Sequence, residues 1–421
     1  MIPPLRRAYN AAYTDRKYRQ YRTRLEEESG CPIPFRLAEA PVFLPPDLLD
    51  EMVSASFEIW RQLSTPENLK RSEAAVPDRF EVPGCDAHPL FAVTDFAVTR
   101  APGGRLAPRL IELQAFPSLY AFQLFQTIAL RDLCPEPARL DFLLSGLDPE
   151  GYRRAVGDAI LGGLPPENVV LLDLDPPSQK TYVDFALTEK LWDVSAVCPT
   201  KIQKRGRELW YDRDGKTTRI LRIYNRLIFD ELSHKGVELP IDFREHLDVA
   251  WAGHPNWYFR WSKHALPALR HSTVPEAHFL SDLATPPGDL SNWVLKPLFS
   301  FAGSGVKVDV TPSDIAAVPP EDRPHTLLMR KVEYAPVIET TDGSFSKVEI
   351  RIMFIWRDGE PFPVTTLARL SQGKMMGVAF NKDRTWVGSS GCLWPSLRLR
   401  EGSAPNGTPA DGSAKGPRPS A

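Results

Sequence analysis

The sequence predicts a mixed α+β and α/β fold with helices at the N-terminus, an open α/β unit in the middle and antiparallel strands on either side. Residues 1–60 are helical in pattern, and residues 149–240 alternate between strand, helix and hairpin. Strands of alternating polarity around glycine turns occur in residues 89–123 and again in residues 293–356. A chain of 421 residues is long enough for two or three domains.

Composition argues against several classes of protein. Lys and Arg number 51 against 53 Asp and Glu, so the net charge of -2 creates no bulk field for nucleic acid or anionic lipid. No apolar run is long enough to span a membrane, and the first residues contain no apolar stretch of a signal peptide. The five scattered cysteines contain no C-x-x-C pair. We therefore expect a reduced, cytoplasmic protein with no nucleic-acid or membrane partner.

The N-terminal residues predict two helices. Residues 6–28 are rich in Arg, Tyr and Glu, which predicts a solvated helix, and residues 46–61 begin with Pro and Asp and carry an apolar stripe. Both patterns favour packing on a neighbouring part of the chain over ligand binding.

Acidic side chains interrupt two predicted strands that flank a P-G-G turn. Asp95 lies among Ala, Val and Phe, and Glu112 and Gln114 share one face of the next strand. A buried carboxylate needs a partner, and Mg²⁺ is a natural one because it prefers oxygen ligands. The alternative is that Arg100 or Arg109 pairs with these carboxylates at the surface.

The middle of the chain predicts an α/β unit. A helix at 150–161 is followed by a buried strand at 169–174, a second helix, and a hairpin that turns at Asp214 and Gly215. Ligands of open α/β sheets bind near the carboxyl ends of the strands. Arg226 lies at such an end and is a candidate substrate contact; the alternative is a cap or a surface ion pair.

Two lysines point to an anion. Lys296 ends an apolar strand and precedes a loop with Gly303 and Gly305, a combination that suits phosphate because glycine backbone amides can approach anionic oxygens. The alternative is an ordinary hairpin with a glycine turn. Lys263 follows a predicted helix cap at Ser262. A lysine is unfavourable beside the positive end of a helix, which indicates a nearby anion. The alternative is that Lys263 is simply exposed.

The last strands carry a further charged face. Residues 347–356 alternate cleanly, so that Glu349 and Arg351 lie on the face opposite Val348 and Ile350. Neighbouring Glu and Arg on one face could simply pair with each other. From residue 401 the composition reduces to Gly, Ser, Pro, Ala and Asn, which predicts a disordered tail.

Together these motifs resemble the ATP-grasp ligases. W-V-L-K-P…G-S-G-V resembles their phosphate lysine and glycine loop, L-L-M-R-K-V-E-Y their hinge, V-E-I-R-I-M-F-I-W their D-I-R-type strand, and R-L-S-Q-G…F-N…G-S-S-G the segment that follows it. The metal strands, T-D-F…L-I-E-L-Q-A-F-P-S, precede these motifs instead of following them. That order resembles the circularly permuted ATP-grasp proteins, which are similar to glutathionylspermidine synthase in the grasp domain.

The resemblance implies a role for each matching residue. The implied phosphate-binding residues are Lys263, Lys296, Gly303, Ser304 and Gly305. The implied adenine hinge is Lys331, Val332 and Glu333, with Glu349 near the ribose. The implied ligands of Mg²⁺ are Asp95, Glu112, Gln114 and Asn381. Arg351 and Arg369 would hold the γ-phosphate or a substrate carboxylate. Gln114 replaces the usual Asn, and its extra methylene displaces the amide oxygen by about one bond, which Asn381 would compensate.

The resemblance also implies an organisation and an activity. The expected units are helices in 1–65, metal-ligand strands in 66–148, an α/β (pre-ATP-grasp) substrate domain in 149–250, nucleotide-binding lobes in 251–400 and a disordered tail in 401–421. The expected activity is an ATP- and Mg²⁺-dependent ligase that joins a small-molecule or peptide carboxylate to an amine through an acyl phosphate. The alternatives are a phosphotransferase and a Mg-ATP-binding module without turnover.

Overall fold

The computed structural model describes residues 1–229, 232, 236–298, 305–374, 376, 381 and 384–396. Gly303, Ser304 and the tail from residue 401 lie outside the described residues, as do the sequence-based expectations for them. All five cysteines are described, and each is a free thiol.

Helices surround the sheets. The described helices are α1 Pro3–Ala12, α2 Asp15–Ser29, α3 Pro46–Leu63, α4 Pro66–Glu73, α5 Tyr120–Asp132, α6 Pro149–Leu161, α7 Tyr182–Trp192, α8 Asn256–Arg260 and α9 Pro312–Ala316. The single solvated helix predicted at 6–28 is wrong, because the side chain of Thr14 caps the start of α2 and separates it from α1. Arg6 is buried, and its guanidinium donates to the carbonyl of Pro41.

The strands form several separate sheets. Their bounds are β1 Val42–Phe43, β2 Phe91–Arg100, β3 Leu106–Gln114, β4 Leu140–Asp141, β5 Val169–Leu172, β6 Ser195–Val197, β7 Gln203–Arg205, β8 Glu208–Arg213, β9 Lys216–Ile220, β10 Arg222–Asn225, β11 Ala250–Ala252, β12 Ala277–Phe279, β13 Trp293–Pro297, β14 Lys307–Val308, β15 Thr326–Arg330, β16 Ile338–Glu339, β17 Phe345–Arg357, β18 Glu360–Ser371, β19 Gly388–Ser390 and β20 Cys392–Pro395. The described part of the chain is thus a mixed fold of helices and several sheets, as the sequence predicts.

The central sheet joins strands from both ends of the chain. Its order is β19-β18-β17-β2-β3, with β16 paired to β17, and every pair is antiparallel. The predicted alternation in β17 is confirmed, since Val348, Ile350, Ile352 and Phe354 are buried in one cluster with residues of α3. That packing leaves Glu349 and Arg351 on the opposite face of the sheet.

Two smaller sheets flank this centre. One is parallel in the order β11-β10-β5-β6, and its strand β5 is fully buried, which explains its continuous apolar sequence. The other is antiparallel in the order β12-β15-β13-β14 and carries Lys296. The segment after β15 returns to the central sheet, where the Ala335 amide donates to the Val98 carbonyl. Among the helices that the structure describes, no candidate membrane span is found.

Candidate functional site

One face of the central sheet gathers the charged residues that the sequence singles out. Asp95 lies opposite Glu112 on one side and opposite Arg351 on the other, and Glu349 lies opposite Arg369. Residues directly opposite each other in an antiparallel pair share a face. Two segments more than 200 residues apart in sequence therefore meet in a single charged row.

Asp95 is held by two arginines. Its carboxylate accepts from Arg351 Nε and Nη2 at 2.7 Å each, and from Arg369 Nη2 at 2.8 Å. The Asp95 side chain is 2 % exposed, and that of Arg351 is 8 % exposed. Although burial opposes ionisation, these two guanidinium groups hold the pKa of Asp95 below its usual range. The partners are thus neither Arg100 nor Arg109, the two suggested by sequence proximity.

Glu349 lies in a different environment within the same row. Its Oε2 accepts from the Tyr334 hydroxyl at 2.5 Å, and its Oε1 lies 3.4 Å from Arg369 Nη2. Burial raises the pKa of Glu349, and Arg369 opposes that shift. Although burial of Arg369 opposes its charged form, Asp95 and Glu349 raise its pKa. Two neighbouring carboxyl groups therefore have pKa values displaced in opposite directions.

Two lysines approach the row from the side of β3. Lys263 Nζ lies 3.7 Å from Glu112 Oε1, which also accepts from Gln114 Nε2 at 3.0 Å. Lys296 Nζ donates to the carbonyl of Ile111 at 3.2 Å. Burial lowers the pKa of Lys296, and the nearby Lys263 charge adds to the effect while Glu112 opposes it.

The backbone explains why the lysines reach this place. The pairing of β2 with β3 shifts between Asp95 and Phe96, which leaves Ile111 as the extra residue of a bulge. Lys296 bonds the carbonyl of that residue. Lys263 follows the cap residue Ser262, as predicted, and its ammonium group donates to the Pro297 and Leu298 carbonyls at 3.4 Å each.

The residues of the implied hinge lie directly after β15. The Lys331 amide donates to the Asn292 carbonyl at 2.8 Å, and its ammonium group pairs with Asp309. Val332 is half-buried and Glu333 is exposed. Gly305 has φ of +70°, and a Cβ there would lie 2.9 Å from Pro297 Cγ, so the position suits glycine on both counts. The nucleotide-contacting roles of these residues stay predictions.

Arg226 and Asn381 are engaged in structural contacts. Arg226 Nη1 donates to Asp184 Oδ2 at 2.7 Å, and its guanidinium lies over the Phe185 ring. Asn381 Oδ1 accepts from Ser371 Oγ and from the amides of Gln372 and Gly373. The first contact ties the end of β10 to α7, and the second ties Asn381 to the end of β18 and the two residues after it.

A magnesium ion does not fit the predicted donor set as the structure arranges it. Both oxygens of Asp95 accept from guanidinium groups, and the amide oxygen of Asn381 accepts from three donors. Mg²⁺ requires oxygen ligands in near-octahedral geometry. In the described part of the chain, no group of three or more His, Cys, Asp or Glu side chains is placed to hold a metal. Glu112 and Gln114 alone make an incomplete site.

Sequence reasoning missed the role of Tyr334. The hinge motif contains this residue, and its hydroxyl donates a hydrogen bond to Glu349 Oε2 at 2.5 Å. Burial beside Glu349 raises the pKa of this tyrosine well above its usual value. A signal was present, because a tyrosine in the short segment between β15 and the central sheet is an amphipathic side chain at a junction between sheets.

Comparison with known proteins adds information about the fold. A glutathione synthetase-like effector from Globodera pallida, solved in its apo form, matches 90 % of this chain and 96 % of its own with a TM-score of 0.53 and 11 % sequence identity. No family model and no curated protein sequence matches the chain. At this identity the likeness concerns the overall fold alone.

Proposed function

We propose that this chain is an ATP-dependent ligase that joins a carboxylate to an amine. The observation that carries the proposal is the meeting of four cations, Lys263, Lys296, Arg351 and Arg369, with three carboxylates on one sheet face. When all are ionised, one positive charge is left in excess. A polyphosphate would supply the missing negative charge, and the likeness to a glutathione synthetase-like fold supports the same assignment.

The proposed reaction has two displacements. A carboxylate oxygen of the acid attacks the γ-phosphorus of ATP, the bond to the β,γ-bridging oxygen breaks, and ADP leaves. The amine nitrogen then attacks the acyl carbon, phosphate leaves, and the nitrogen loses a proton. Such chemistry needs in-line positioning and neutralisation of charge on the transferring phosphoryl oxygens.

Each cation has a distinct place in this proposal. Lys263 and Lys296 bind phosphoryl oxygens as compact charges, since their ammonium groups lie at the carbonyls of Pro297 and Ile111, where β13 meets β3. Arg369, 31 % exposed, is the guanidinium that reaches the γ-phosphate or the substrate carboxylate. Arg351 is almost fully buried and holds Asp95, so it orients Arg369 through that shared carboxylate. In the ATP-grasp family magnesium shields the phosphates, but the donor set of this chain does not fit that ion.

A second candidate is a nucleotide-binding protein without turnover. The contacts of Asp95 and Asn381 favour it, because two of the four implied metal ligands are committed to protein partners. The proposal also includes the permuted order of the motifs, a cytoplasmic location, and an acid and an amine that are small molecules or peptides.

The test is substrate-dependent release of ADP. Amino acids, peptides and polyamines are screened in pairs, with amide product measured by mass spectrometry. Lys296→Met should abolish release, whereas Lys307→Met, at an exposed lysine of the same small sheet, should not. ADP with amide supports the ligase, ADP without amide supports a phosphotransferase, and ATP binding without ADP supports the second candidate. Wild-type rates in Lys296→Met would reject the site.

A further inference from the structure

Asp95, the carboxylate that the family resemblance assigns to a metal, is buried inside the protein. Asp95 is 2 % exposed, whereas Arg369, which binds it, is 31 % exposed. The open side of this ion pair therefore presents a guanidinium group and not a carboxylate. A divalent cation approaching from the exposed side of this pair meets like charge first, which disfavours its binding.

Access of a metal to Asp95 would also break three short hydrogen bonds. Arg351 binds the carboxylate through two nitrogens at 2.7 Å, and Arg369 binds it at 2.8 Å. Removing one partner from a buried ion pair leaves an uncompensated charge, which is strongly unfavourable. Arg351 is only 8 % exposed, so water cannot solvate its guanidinium in place of the lost Asp95 carboxylate.

The cations beside Asp95 and Glu112 suit phosphate by themselves. Arg369 offers a planar fork that matches phosphate oxygens, and Lys263 beside Glu112 and Lys296 beside Ile111 offer compact charges. Guanidinium and ammonium groups in a partly buried site neutralise phosphate charge as a bound metal does.

We infer that this site binds the polyphosphate of a nucleotide without a divalent cation, with Arg369, Lys296 and Lys263 in the place that magnesium holds in related folds. The inference rests on the proposed function, because it assumes that a nucleotide is the ligand. It goes beyond that function by assigning the charge-neutralising role to side chains of this chain.

The first experiment is titration calorimetry of the full chain with ATP, once in excess EDTA and once in excess Mg²⁺. The expected dissociation constants agree within about threefold, because the protein supplies the counter-charge. Binding with Mg²⁺ and a loss of tenfold or more in EDTA overturns the inference and leaves the proposed function standing. No binding of ATP under either condition overturns both.

Variants of the Asp95–Arg369 ion pair distinguish a metal-binding Asp95 from an Asp95 that only holds Arg369, because the two roles predict opposite changes in ATP affinity. Asp95→Asn removes the charge that holds Arg369, so ATP affinity in EDTA should rise or stay equal, and Arg369→Gln should lower it by about tenfold or more. Arg357→Gln, at an exposed arginine of the same strand β17, is the matched control and should leave the affinity unchanged. A loss of ATP binding in a folded Asp95→Asn protein, with Mg²⁺ dependence in the wild type, contradicts the inference. Circular dichroism checks the fold of each variant.

Discussion

Replacement of Arg226 by methionine tests whether this residue serves structure or substrate. The sequence places it at the carboxyl end of β10, where a substrate contact is expected. The structure pairs it with Asp184, whose side chain is fully buried. Asp184 also accepts from the amides of Leu119, Ala121 and Phe122 at 3.0 Å each, which places its charge at the start of α5.

The magnitude follows from the burial of both partners. Arg226 is 4 % exposed at its side chain and Asp184 is 0 % exposed, so Arg226→Met leaves a carboxylate in the interior with three amide donors but no cation. Breaking a buried ion pair by removing one partner costs about 3–5 kcal/mol in the free energy of unfolding. The amides that remain bound to Asp184 place the expected loss toward the lower end, about 3 kcal/mol.

The assay is urea unfolding followed by tryptophan fluorescence, with Arg219→Met as the matched control. Arg219 pairs with Glu208 at 3.0 Å, but both side chains are 36 % exposed, and such a pair contributes about 0–1 kcal/mol. On the proposed function, a folded Arg226→Met protein should keep the KM of the wild type for ATP. The structural assignment is refuted if Arg226→Met costs no more than the control while raising the KM for the acid or the amine.

Three further outcomes are expected at other positions. The folded-state pKa of Asp95 is depressed, so its stabilisation is complete above the unfolded pKa, near 3.9, and is lost as pH falls through the folded value; acid unfolding of Asp95→Asn should lack this component. Gly388→Ala should cost about 3 kcal/mol or more in thermal melts, because φ is +116° and a Cβ would lie 2.3 Å from the Arg36 carbonyl oxygen, whereas Gly288→Ala meets nothing within 4 Å and should change little. Tyr334→Phe removes a hydrogen-bond donor to Glu349 and should raise the pKa of that carboxyl further, which NMR titration of the Glu349 side chain measures. An unchanged or lower pKa would show that the hydrogen bond does not stabilise the carboxylate.

The elements with a strong hydrophobic periodicity were predictable, because the buried face of a helix or strand repeats with the period of its side chains. The alternation in β17 and the apolar stripe of α3 identified the two surfaces that pack together, and the Asp-Gly pair placed the hairpin between β8 and β9. The helix break before α2 was missed, since the capping hydroxyl of Thr14 lies in a stretch whose charge pattern continues on both sides.

The partners of the charged residues were not predictable, because pairing across a sheet depends on register and not on distance along the chain. Sequence reasoning offered Arg100 or Arg109 to Asp95, whereas the register of β17 brings Arg351, which is 256 residues away. The same limit applies to Arg226, whose partner is on a helix that precedes it by 42 positions. A sequence can show that a buried charge needs a partner, but topology selects which one.

The bulge at Ile111 shows how one irregular residue determines the chemistry of the site. Without it, β3 would stay in register with β2, and every side chain between Leu106 and Ile111 would move to the other face relative to Glu112. With it, Glu112 and Asp95 lie side by side while the apolar Leu110 remains in the core, and the Ile111 carbonyl is free of the ladder to accept from Lys296. The bulge thus joins the acidic strands and the basic strand at one point, so a shift in this register would separate Lys296 from the charged row even if every side chain were retained.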